Sequence, residues 1–260
     1  MSRAAASDDP RCLCGRVVLI TGAAGGFGQA TALAAALAGA TVILCGRRVR
    51  PLEKIYDQIV ADGGLQPAIY PIDLEGATPA DYQQLAQSIT EHFGKLDGLV
   101  HAAAHFGGLM AHADAPIEDW LRSLQVNLTS PQALTQACLP LLQQSADAAV
   151  IFLLDDLDRV GKAHWGAYGV AQFARRGLLS QWAAELDHST LRVHGLLPQP
   201  MRTPLRARAY FAEDPSLIES PAAAAAACVR LLSAAGRGDR GQIQDLTLTS
   251  LPPLTAKDCQ

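Results

Sequence analysis

The chain reads VVLITGAAGGFG over residues 17–28 and continues as QATALAAALAG over residues 29–39. The apolar start predicts a strand, the glycines a tight turn and the alanines a helix. Such a turn lets the backbone approach a pyrophosphate closely, while the first amides of the helix point at the phosphate with the positive end of the helix dipole. A plain turn of small residues is the alternative. The flanking strand and helix favour a phosphate cradle for a dinucleotide.

The rest of the chain alternates apolar strand patterns with amphipathic helical patterns. That alternation is typical of an α/β protein with a single doubly wound, Rossmann-type parallel sheet flanked by helices on both faces. The predicted strands cover residues 17–20, 41–45, 68–72, 96–100, 149–154, 191–197 and 242–247. After the first helix, the predicted helices cover residues 52–60, 79–93, 117–142, 168–186 and 222–232, the third of these interrupted near Pro131.

A length of 260 residues favours one sizeable domain. We expect a flexible N-terminal arm over residues 1–14, because residues 1–11 are small and polar and lack the apolar stretch of a secretory signal. The domain is expected over residues 15–250, with a mobile substrate lid at about residues 199–220 and a C-terminal tail at 251–260. No segment approaches the ~20 consecutive apolar residues that span a bilayer.

Composition narrows the partners and the compartment. Charged residues make up 18% of the chain and the formal net charge is -4, which argues against nucleic acid or a membrane surface as a partner. Six cysteines without a secretory context indicate reduced thiols in the cytoplasm. Cys12 and Cys14 form a Cys-x-Cys pair with no further ligand nearby in sequence, so we expect no metal site.

Several motifs together resemble the short-chain dehydrogenase/reductase family. Thr21, Gly22, Gly26 and Gly28 match its Thr-Gly-x-x-x-Gly-x-Gly motif completely. The likeness extends from about residue 16 to residue 247. The segments WGAY at 165–168, RTPLRA at 202–207 and EDP at 213–215 are similar to a YciK-like bacterial subgroup of that family. The resemblance implies binding of a nicotinamide dinucleotide.

The end of the second predicted strand bears on which dinucleotide is bound. Members of the family that prefer NAD place a carboxylate there, whereas this chain has Gly46 followed by Arg47 and Arg48. Arginine makes bidentate, charge-assisted hydrogen bonds to phosphate oxygens, so NADP(H) is expected in preference to NAD(H). A solvated basic loop is the alternative. By resemblance, Asp73 contacts the adenine ring and Leu74 lines its pocket.

The catalytic half departs from the family. The family uses a tyrosine, a lysine four residues later and a serine about thirteen residues earlier. Here Tyr168 is present, but the lysine position holds Gln172 and the serine position holds Asp155. Asn127 matches the helix asparagine that supports a proton-relay water.

Two further family motifs are eroded around the nicotinamide. The usual Asn-Asn-Ala-Gly after the fourth strand reads HAAA at residues 101–104, and the Pro-Gly after the sixth strand reads Pro198-Gln199. Part of the backbone and side-chain surface that lines the nicotinamide in the family is therefore replaced, with Ala102 and Ala103 in its place.

The two catalytic substitutions are expected to act in the same direction. Gln172 brings no positive charge to favour the phenolate of Tyr168, and an ionised Asp155 nearby would repel it. Alcohol oxidation at neutral pH should therefore be slow, whereas a neutral tyrosine can still donate a proton during reduction. Alternatively Asp155 or Asp156 acts as an acid or base, or both are solvated loop carboxylates. The histidines at 101, 105 and 112 are interpreted as polar loop or strand-end residues.

Three functions remain open at this point: an NADP(H)-dependent oxidoreductase of small carbonyls and alcohols with weak activity, a non-catalytic NADP(H)-binding sensor or scaffold, and a lyase or isomerase that uses the carboxylates. A homodimer or homotetramer through residues 117–142 and 168–186 is implied by the resemblance. The candidate catalytic residues are Tyr168, Asn127, Asp155 and Gln172. The candidate cofactor-binding residues are Thr21, Gly22, Gly25, Gly26, Phe27, Gly28, Arg47, Asp73, Leu74, Ala102, Ala103, Tyr168 and Gln172.

Overall fold

A parallel sheet of seven strands organises the chain. The computed structural model describes residues 11–247. Its strands are β1 (Val17–Thr21), β2 (Thr41–Gly46), β3 (Ala68–Pro71), β4 (Gly98–His101), β5 (Ala149–Leu153), β6 (Arg192–Leu197) and β7 (Ile243–Asp245). They pair in the order β3-β2-β1-β4-β5-β6-β7, every pair parallel. The chain crosses from β3 back to β4, which pairs with β1. In open parallel sheets the carboxyl edge at such a reversal forms the ligand crevice.

Helices cover both faces of this sheet, so the expected fold class is confirmed. The described part of the chain contains α1 (Gly26–Leu37), α2 (Val49–Ala61), α3 (Pro79–Phe93), α4 (Ile117–Leu124), α5 (Ser130–Gln144), α6 (Leu157–Val160), α7 (Gly166–Glu185), α8 (Pro204–Ala209) and α9 (Ala222–Leu232). Along β1, Val17 and Leu19 pack with α3, α5 and α7, whereas Val18 and Ile20 pack with α1, α2 and α9. Side chains alternate between the faces of a strand, so one strand contributes to two apolar layers.

The expected interruption of the helix from Ile117 is present and has a clear cause. Residues 125–129 form a π-helical turn between α4 and α5, closed by the amide of Ser130 donating to the carbonyl of Gln125. Pro131 is the second residue of α5 and has no N–H, so the carbonyl of Asn127 loses its usual α-helical donor. The proline therefore removes one α-helical hydrogen bond from the middle of an otherwise continuous helical segment.

The N-terminal boundary differs from the expectation. Leu13 is fully buried against the layer that contains α1, and its amide donates to the carbonyl of Ala38 at 2.9 Å. Burial of this one apolar side chain attaches residues 11–14 to the domain, so they are not part of a flexible arm. Residues 1–10 and the expected tail at 251–260 lie outside the described residues. No helix within 11–247 combines the length and apolarity that crossing a bilayer requires.

Candidate active site

The turn between β1 and α1 forms the phosphate cradle that the sequence predicts. Gly25 precedes α1 in an extended conformation, and the amide of Gln29 is the first to donate back, to the carbonyl of Gly25 at 2.8 Å. The amides of Gly26, Phe27 and Gly28 come before that hydrogen bond and belong to the helix N-terminus. Amides in this position, with the helix dipole behind them, attract a phosphate.

Steric limits explain two of the cradle glycines. A Cβ on Gly28 would lie 2.2 Å from the carbonyl oxygen of Gly22, and a Cβ on Gly22 would lie 2.6 Å from the Cα of Ala103. Gly22 also has a φ of +63°, in the left-handed region. Thr21 ties the turn to the neighbouring strand, because its hydroxyl donates to the carbonyl of Val100 at 3.2 Å and accepts from the amide of Ala103 at 3.3 Å. The backbone of the turn and that of β4 are therefore packed in contact.

A basic pair lies at the end of β2. Arg47 and Arg48 line the cavity, and the guanidinium of Arg47 is 3.6 Å from the carboxylate of Glu75 and 4.0 Å from that of Asp73. Leu74, which lies between these two acids in the sequence, has a buried side chain. Exposed ion pairs of this kind contribute little stability. Arg47 can therefore exchange its partners for a phosphate at small cost.

One cavity of about 420 Å³ joins these elements along the carboxyl edge of the sheet. Thirteen of the candidate residues line it, from the cradle glycines to Tyr168 and Gln172. Thr21 and Asn127 are buried and support the wall from behind. The side chain of Asn127 accepts from the amide of His105 at 2.9 Å and donates to its carbonyl at 2.8 Å, which fixes the loop after β4. The thirteen are Gly22, Gly25, Gly26, Phe27, Gly28, Arg47, Asp73, Leu74, Ala102, Ala103, Asp155, Tyr168 and Gln172.

Asp155 and Tyr168 are in direct contact. The Tyr168 hydroxyl donates to Oδ2 of Asp155 at 2.8 Å, and Oδ1 of Asp155 accepts from Nη2 of Arg159 and from the amide of Asp156. Burial and the Asp155 carboxylate together hold the pKa of Tyr168 well above its usual range, while Arg175 and Arg159 act to lower it. The expected repulsion between carboxylate and phenolate is thus built into the site.

The lysine position and the residue one turn further along α7 form the inner wall of the cavity. Gln172 and Arg175 are both 2% exposed. Nη2 of Arg175 donates to the carbonyl of His101 at 3.0 Å. Within residues 11–247, Oε1 of Gln172 and Nε of Arg175 are buried without a hydrogen-bond partner. Sequence reasoning missed Arg175 and Arg159, although their spacings from Tyr168 and Asp155, seven and four residues, are helical.

The remaining polar candidates have structural partners. Asp156 caps α6 by accepting from the amide of Asp158 at 3.0 Å. His101 is buried with Nε2 2.8 Å from Oγ1 of Thr135, and burial, aided by Arg175, holds its pKa well below its usual range. Both arrangements favour the structural interpretation of these residues. The other two histidines pair with Asp119 (His105, 2.9 Å) and lie against the ring of Trp120 (His112, 5.9 Å between centroids).

Aromatic rings surround the outer side of Tyr168. The ring centroid of Phe106 is 5.4 Å from that of Tyr168 and 5.2 Å from that of Trp165, which is in turn 6.2 Å from that of Tyr210. These spacings are typical of favourable ring contacts. Because Trp165, Tyr168 and Tyr210 all line the cavity, the substrate side of Tyr168 is predominantly apolar. Sequence patterns do not reveal this cluster, since its members come from three separate segments.

The segment expected to form a lid, residues 199–220, contains α8 and closes one side of the cavity. Thr203 caps α8 and lies against the cradle, so that a Cβ on Gly26 would be 2.9 Å from its methyl group. Arg208 reaches across to the loop after β4 and donates to the carbonyl of Gly107 at 2.7 Å. The segment therefore contacts both the cradle and the loop that Asn127 holds.

Known proteins resemble the chain over most of its length. A family model for short chain dehydrogenases matches residues 16–213. The uncharacterized oxidoreductase YciK of Escherichia coli K12 is 37% identical over 207 residues, which cover 80% of this chain and 82% of that protein. A structure from Shigella flexneri 2a, complexed with NADP, has 34% identity and a TM-score of 0.88, covering 92% and 99% of the two chains.

A second solved structure, from E. coli CFT073 and complexed with NADPH, has 35% identity and a TM-score of 0.87, covering 92% of this chain and 98% of that one. The likeness to YciK expected from the sequence is confirmed. With the matched family model, the parallel sheet and the glycine cradle in agreement, the chain belongs to the short-chain dehydrogenase/reductase family of oxidoreductases.

Proposed function

We propose that the protein is an NADP(H)-dependent oxidoreductase that transfers a hydride to or from a small carbonyl or alcohol, with low activity. The observation that carries the proposal is the single cavity, which connects the amide cradle at one end with Tyr168 at the other. A dinucleotide laid along the carboxyl edge of the sheet extends over this length. The proton-exchanging group and the phosphate site therefore serve one ligand.

NADP(H) is proposed in preference to NAD(H). No acid follows β2 at the position where it would meet the ribose hydroxyls, and Gly46, Arg47 and Arg48 line the cavity there. Two relatives in the same family are complexed with NADP or NADPH. When NADP(H) binds, Arg47 can exchange its exposed carboxylate partners for the doubly charged 2′-phosphate, to which a guanidinium can make two hydrogen bonds.

The residues of the inner cavity fit the cofactor. Glycine at 22 and 28 leaves the cradle open where a Cβ would meet backbone. The buried Oε1 of Gln172, which has no hydrogen-bond partner within residues 11–247, offers an acceptor to a ribose hydroxyl. A nicotinamide cofactor, when bound, supplies the hydride. The protein binds the cofactor, keeps water away from Tyr168 and exchanges a proton with the substrate through the Tyr168 hydroxyl.

The direction of the Tyr168 proton limits the chemistry. A tyrosine hydroxyl has one proton, and here it is donated to Asp155. To protonate a developing alkoxide, Tyr168 must turn that proton from a carboxylate to the substrate oxygen. A well-matched donor contributes roughly 10² to 10⁴ in rate, and competition from Asp155 removes part of it. Reduction is therefore proposed to be slow and oxidation slower.

The same hydrogen bond favours a second candidate, a non-catalytic NADP(H)-binding sensor or scaffold. If the Tyr168 hydroxyl keeps donating its proton to Asp155, the cofactor site is complete but no proton reaches a substrate. The two candidates share the cradle and differ only in hydride transfer.

Hydride transfer separates the two candidates. NADPH consumption and product formation are measured with generic diketones and quinones, using wild type, Tyr168→Phe and Tyr56→Phe, a tyrosine on α2 outside the cavity. The enzyme proposal expects turnover that Tyr168→Phe reduces by about 100-fold or more and Tyr56→Phe leaves unchanged. Saturable NADPH binding without turnover on any substrate would favour the sensor instead.

We also propose a homodimer or homotetramer formed through α4, α5 and α7. Ile117 and Leu121 on α4 are 62% and 60% exposed, and Val170 and Phe173 on α7 are 44% and 50% exposed. Apolar side chains exposed on adjacent helices are typical of association surfaces. Light scattering on Leu121→Glu and Phe173→Glu tests this: both should shift the mass towards the monomer. A cytoplasmic location stays a prediction from cysteine usage.

A further inference from the structure

Arg175 lies on the cavity side of α7 with the two positions that define the catalytic site. Tyr168, Gln172 and Arg175 are spaced i, i+4 and i+7, which puts them on one face of a helix. All three line the same cavity, and their exposed fractions are 6%, 2% and 2%. A guanidinium therefore lies one helical turn beyond the position where the family has its lysine.

The guanidinium of Arg175 is a buried cation without an acidic partner. Its Nη2 donates to a backbone carbonyl, that of His101, and its Nε has no partner within residues 11–247. None of the ion pairs in that part of the chain includes it. A buried charge without a counter-charge is costly, and proteins keep one where function uses it. The charges of the groups around Arg175 and Tyr168 therefore indicate what this cation does.

The charges around Tyr168 otherwise cancel. Asp155 accepts from Tyr168 on one oxygen and is paired with Arg159 on the other, so the carboxylate and that guanidinium form a neutral pair. His101 is on β4, and its backbone carbonyl accepts a hydrogen bond from Arg175. Burial holds the pKa of its ring well below the usual range, so the ring is neutral. Arg175 is the charge that remains. With Tyr168 as a neutral phenol the group carries one positive charge, and with Tyr168 as phenolate it carries none.

We propose that Arg175 takes the place of the missing lysine as the cation that stabilises the Tyr168 phenolate, while the Asp155–Arg159 pair occupies the serine position as a neutral unit. Arg175 acts through Tyr168 and is a positioning residue. This role rests on the proposed function. It differs from the expectation that both catalytic substitutions act in the same direction, because residue 175 supplies a positive charge that Gln172 lacks.

The directions of the pKa shifts agree with this geometry. Arg175 and Arg159 lower the pKa of Tyr168 against burial and Asp155, which raise it. Burial lowers the pKa of Arg175 to about 10, and the charge of Tyr168 opposes that shift. From the α8 segment, Tyr210 acts on Arg159, and Arg206 lies 4.7 Å from the centre of the Tyr210 ring and is paired with Glu213. The two cations and Asp155 are thus the charges that set the titration of Tyr168.

The test is a titration of Tyr168 by tyrosinate absorbance, with a matched Tyr168→Phe protein subtracted at each pH. It is done in an Asp155→Asn background, because removing the carboxylate removes one of the two causes that raise the pKa of Tyr168 and leaves burial as the other. Arg175→Gln removes the charge but keeps a donor for the His101 carbonyl. Arg175→Lys keeps the charge. Arg176→Gln removes the same charge from the next residue of α7, which does not line the cavity.

Arg175→Gln is expected to raise the pKa of Tyr168 by about 1 pH unit or more. Arg175→Lys should restore it to within a few tenths of the Asp155→Asn value, and Arg176→Gln should leave it there. An equal effect of Arg175→Gln and Arg176→Gln, or an Arg175→Lys protein that titrates like Arg175→Gln, would overturn the proposal. Circular dichroism confirms folding, and Arg175→Met replaces Arg175→Gln if that variant unfolds.

The titration uses neither cofactor nor substrate. Its failure would remove the role of Arg175 while leaving the proposed function intact. Failure of the proposed function appears elsewhere, as a lack of NADPH binding or hydride transfer.

Discussion

The cradle at β1–α1 and the catalytic end at β5–α7 line one cavity but are constrained differently. At the cradle, Gly22 and Gly28 are required because a Cβ would meet backbone at 2.6 and 2.2 Å. At the catalytic end, the chain requires a balance of charge, which different side chains can supply. Asp155 and Gln172 depart from the family motif, and Arg159 and Arg175 lie where they compensate. Packing against backbone therefore requires glycine itself at the cradle, whereas the net charge around Tyr168 can be supplied by different residues.

The largest expected effect is at the cradle. Gly22→Ala puts a Cβ against the backbone of Ala103 at a positive φ, and we expect a loss of about 3 kcal/mol or more in unfolding free energy together with loss of NADPH binding. Gly63→Ala is the control, since Gly63 has a φ of +79° and nothing within 4 Å of the added atom. It should cost about 1 kcal/mol and keep NADPH binding. Chemical denaturation and calorimetry measure both quantities, and equal losses would remove the steric explanation.

The next effect is at the catalytic end. Asp155→Ser frees the Tyr168 proton, so carbonyl reduction should rise by about tenfold or more. Gln172→Lys should add little, alone or in the double variant, because Arg175 already supplies a cation. Asp156→Ser is the control, since serine still caps α6.

Initial rates with diketones or quinones at saturating NADPH give the comparison. A gain that depends mainly on Gln172→Lys would contradict the role of Arg175. No gain in any variant would mean that the eroded motifs at His101–Ala104 and Gln199 limit the reaction.

A pH effect on stability arises outside both regions. Burial, aided by Arg192, lowers the pKa of His194 to about 4 from 6.5. The unfolded chain then binds more protons between these values, so stability present above pH 6.5 is lost as the pH falls towards 4, by about 3 kcal/mol in total. His101 adds a loss of the same sign. Chemical denaturation at several pH values gives the unfolding free energy as a function of pH. This free energy should depend less on pH in His194→Gln than in the wild type, and as much as in the wild type in His92→Gln, which changes an exposed histidine.

The smallest effect is at the rim of the cradle. Arg47→Gln should weaken NADPH binding by about tenfold, because one exposed charge-assisted contact to the 2′-phosphate is removed, and should leave NADH binding unchanged. Arg50→Gln makes the same change of charge on α2 away from the cavity and should alter neither. If both variants weakened NADPH binding equally, the positive charge of the region as a whole would matter, and not a direct contact of Arg47 with the 2′-phosphate.

Much of the fold is predictable from the sequence because local patterns decide it. The glycine turn, the alternation of elements and the break near Pro131 follow from propensities and sterics of neighbouring residues. The π-helical form of the turn is not predictable, since a proline signals a break in a helix but not which hydrogen bonds replace the missing one. Leu13 was misassigned because one apolar residue in a polar segment carries no periodic signal.

The site is predictable where the family motif supplies a frame. The resemblance identifies Tyr168 and, by their distance from it, the departures at Asp155 and Gln172, whereas Arg175 lies outside the motif and has only its helical spacing on α7 as a signal. The aromatic wall of Phe106, Trp165 and Tyr210 depends on tertiary packing, which no local pattern encodes. The contact between Tyr168 and Asp155 likewise needs the structure, because the twelve residues between them include a short helix and a loop.

The most direct measurement is a pair of calorimetric titrations of the wild-type protein, with NADPH and with NADH, under identical conditions. The cradle, Arg47 and the inner cavity predict saturable binding of both with NADPH the tighter ligand. No binding of either cofactor at millimolar concentration would contradict the account, because the glycine cradle would then serve no dinucleotide.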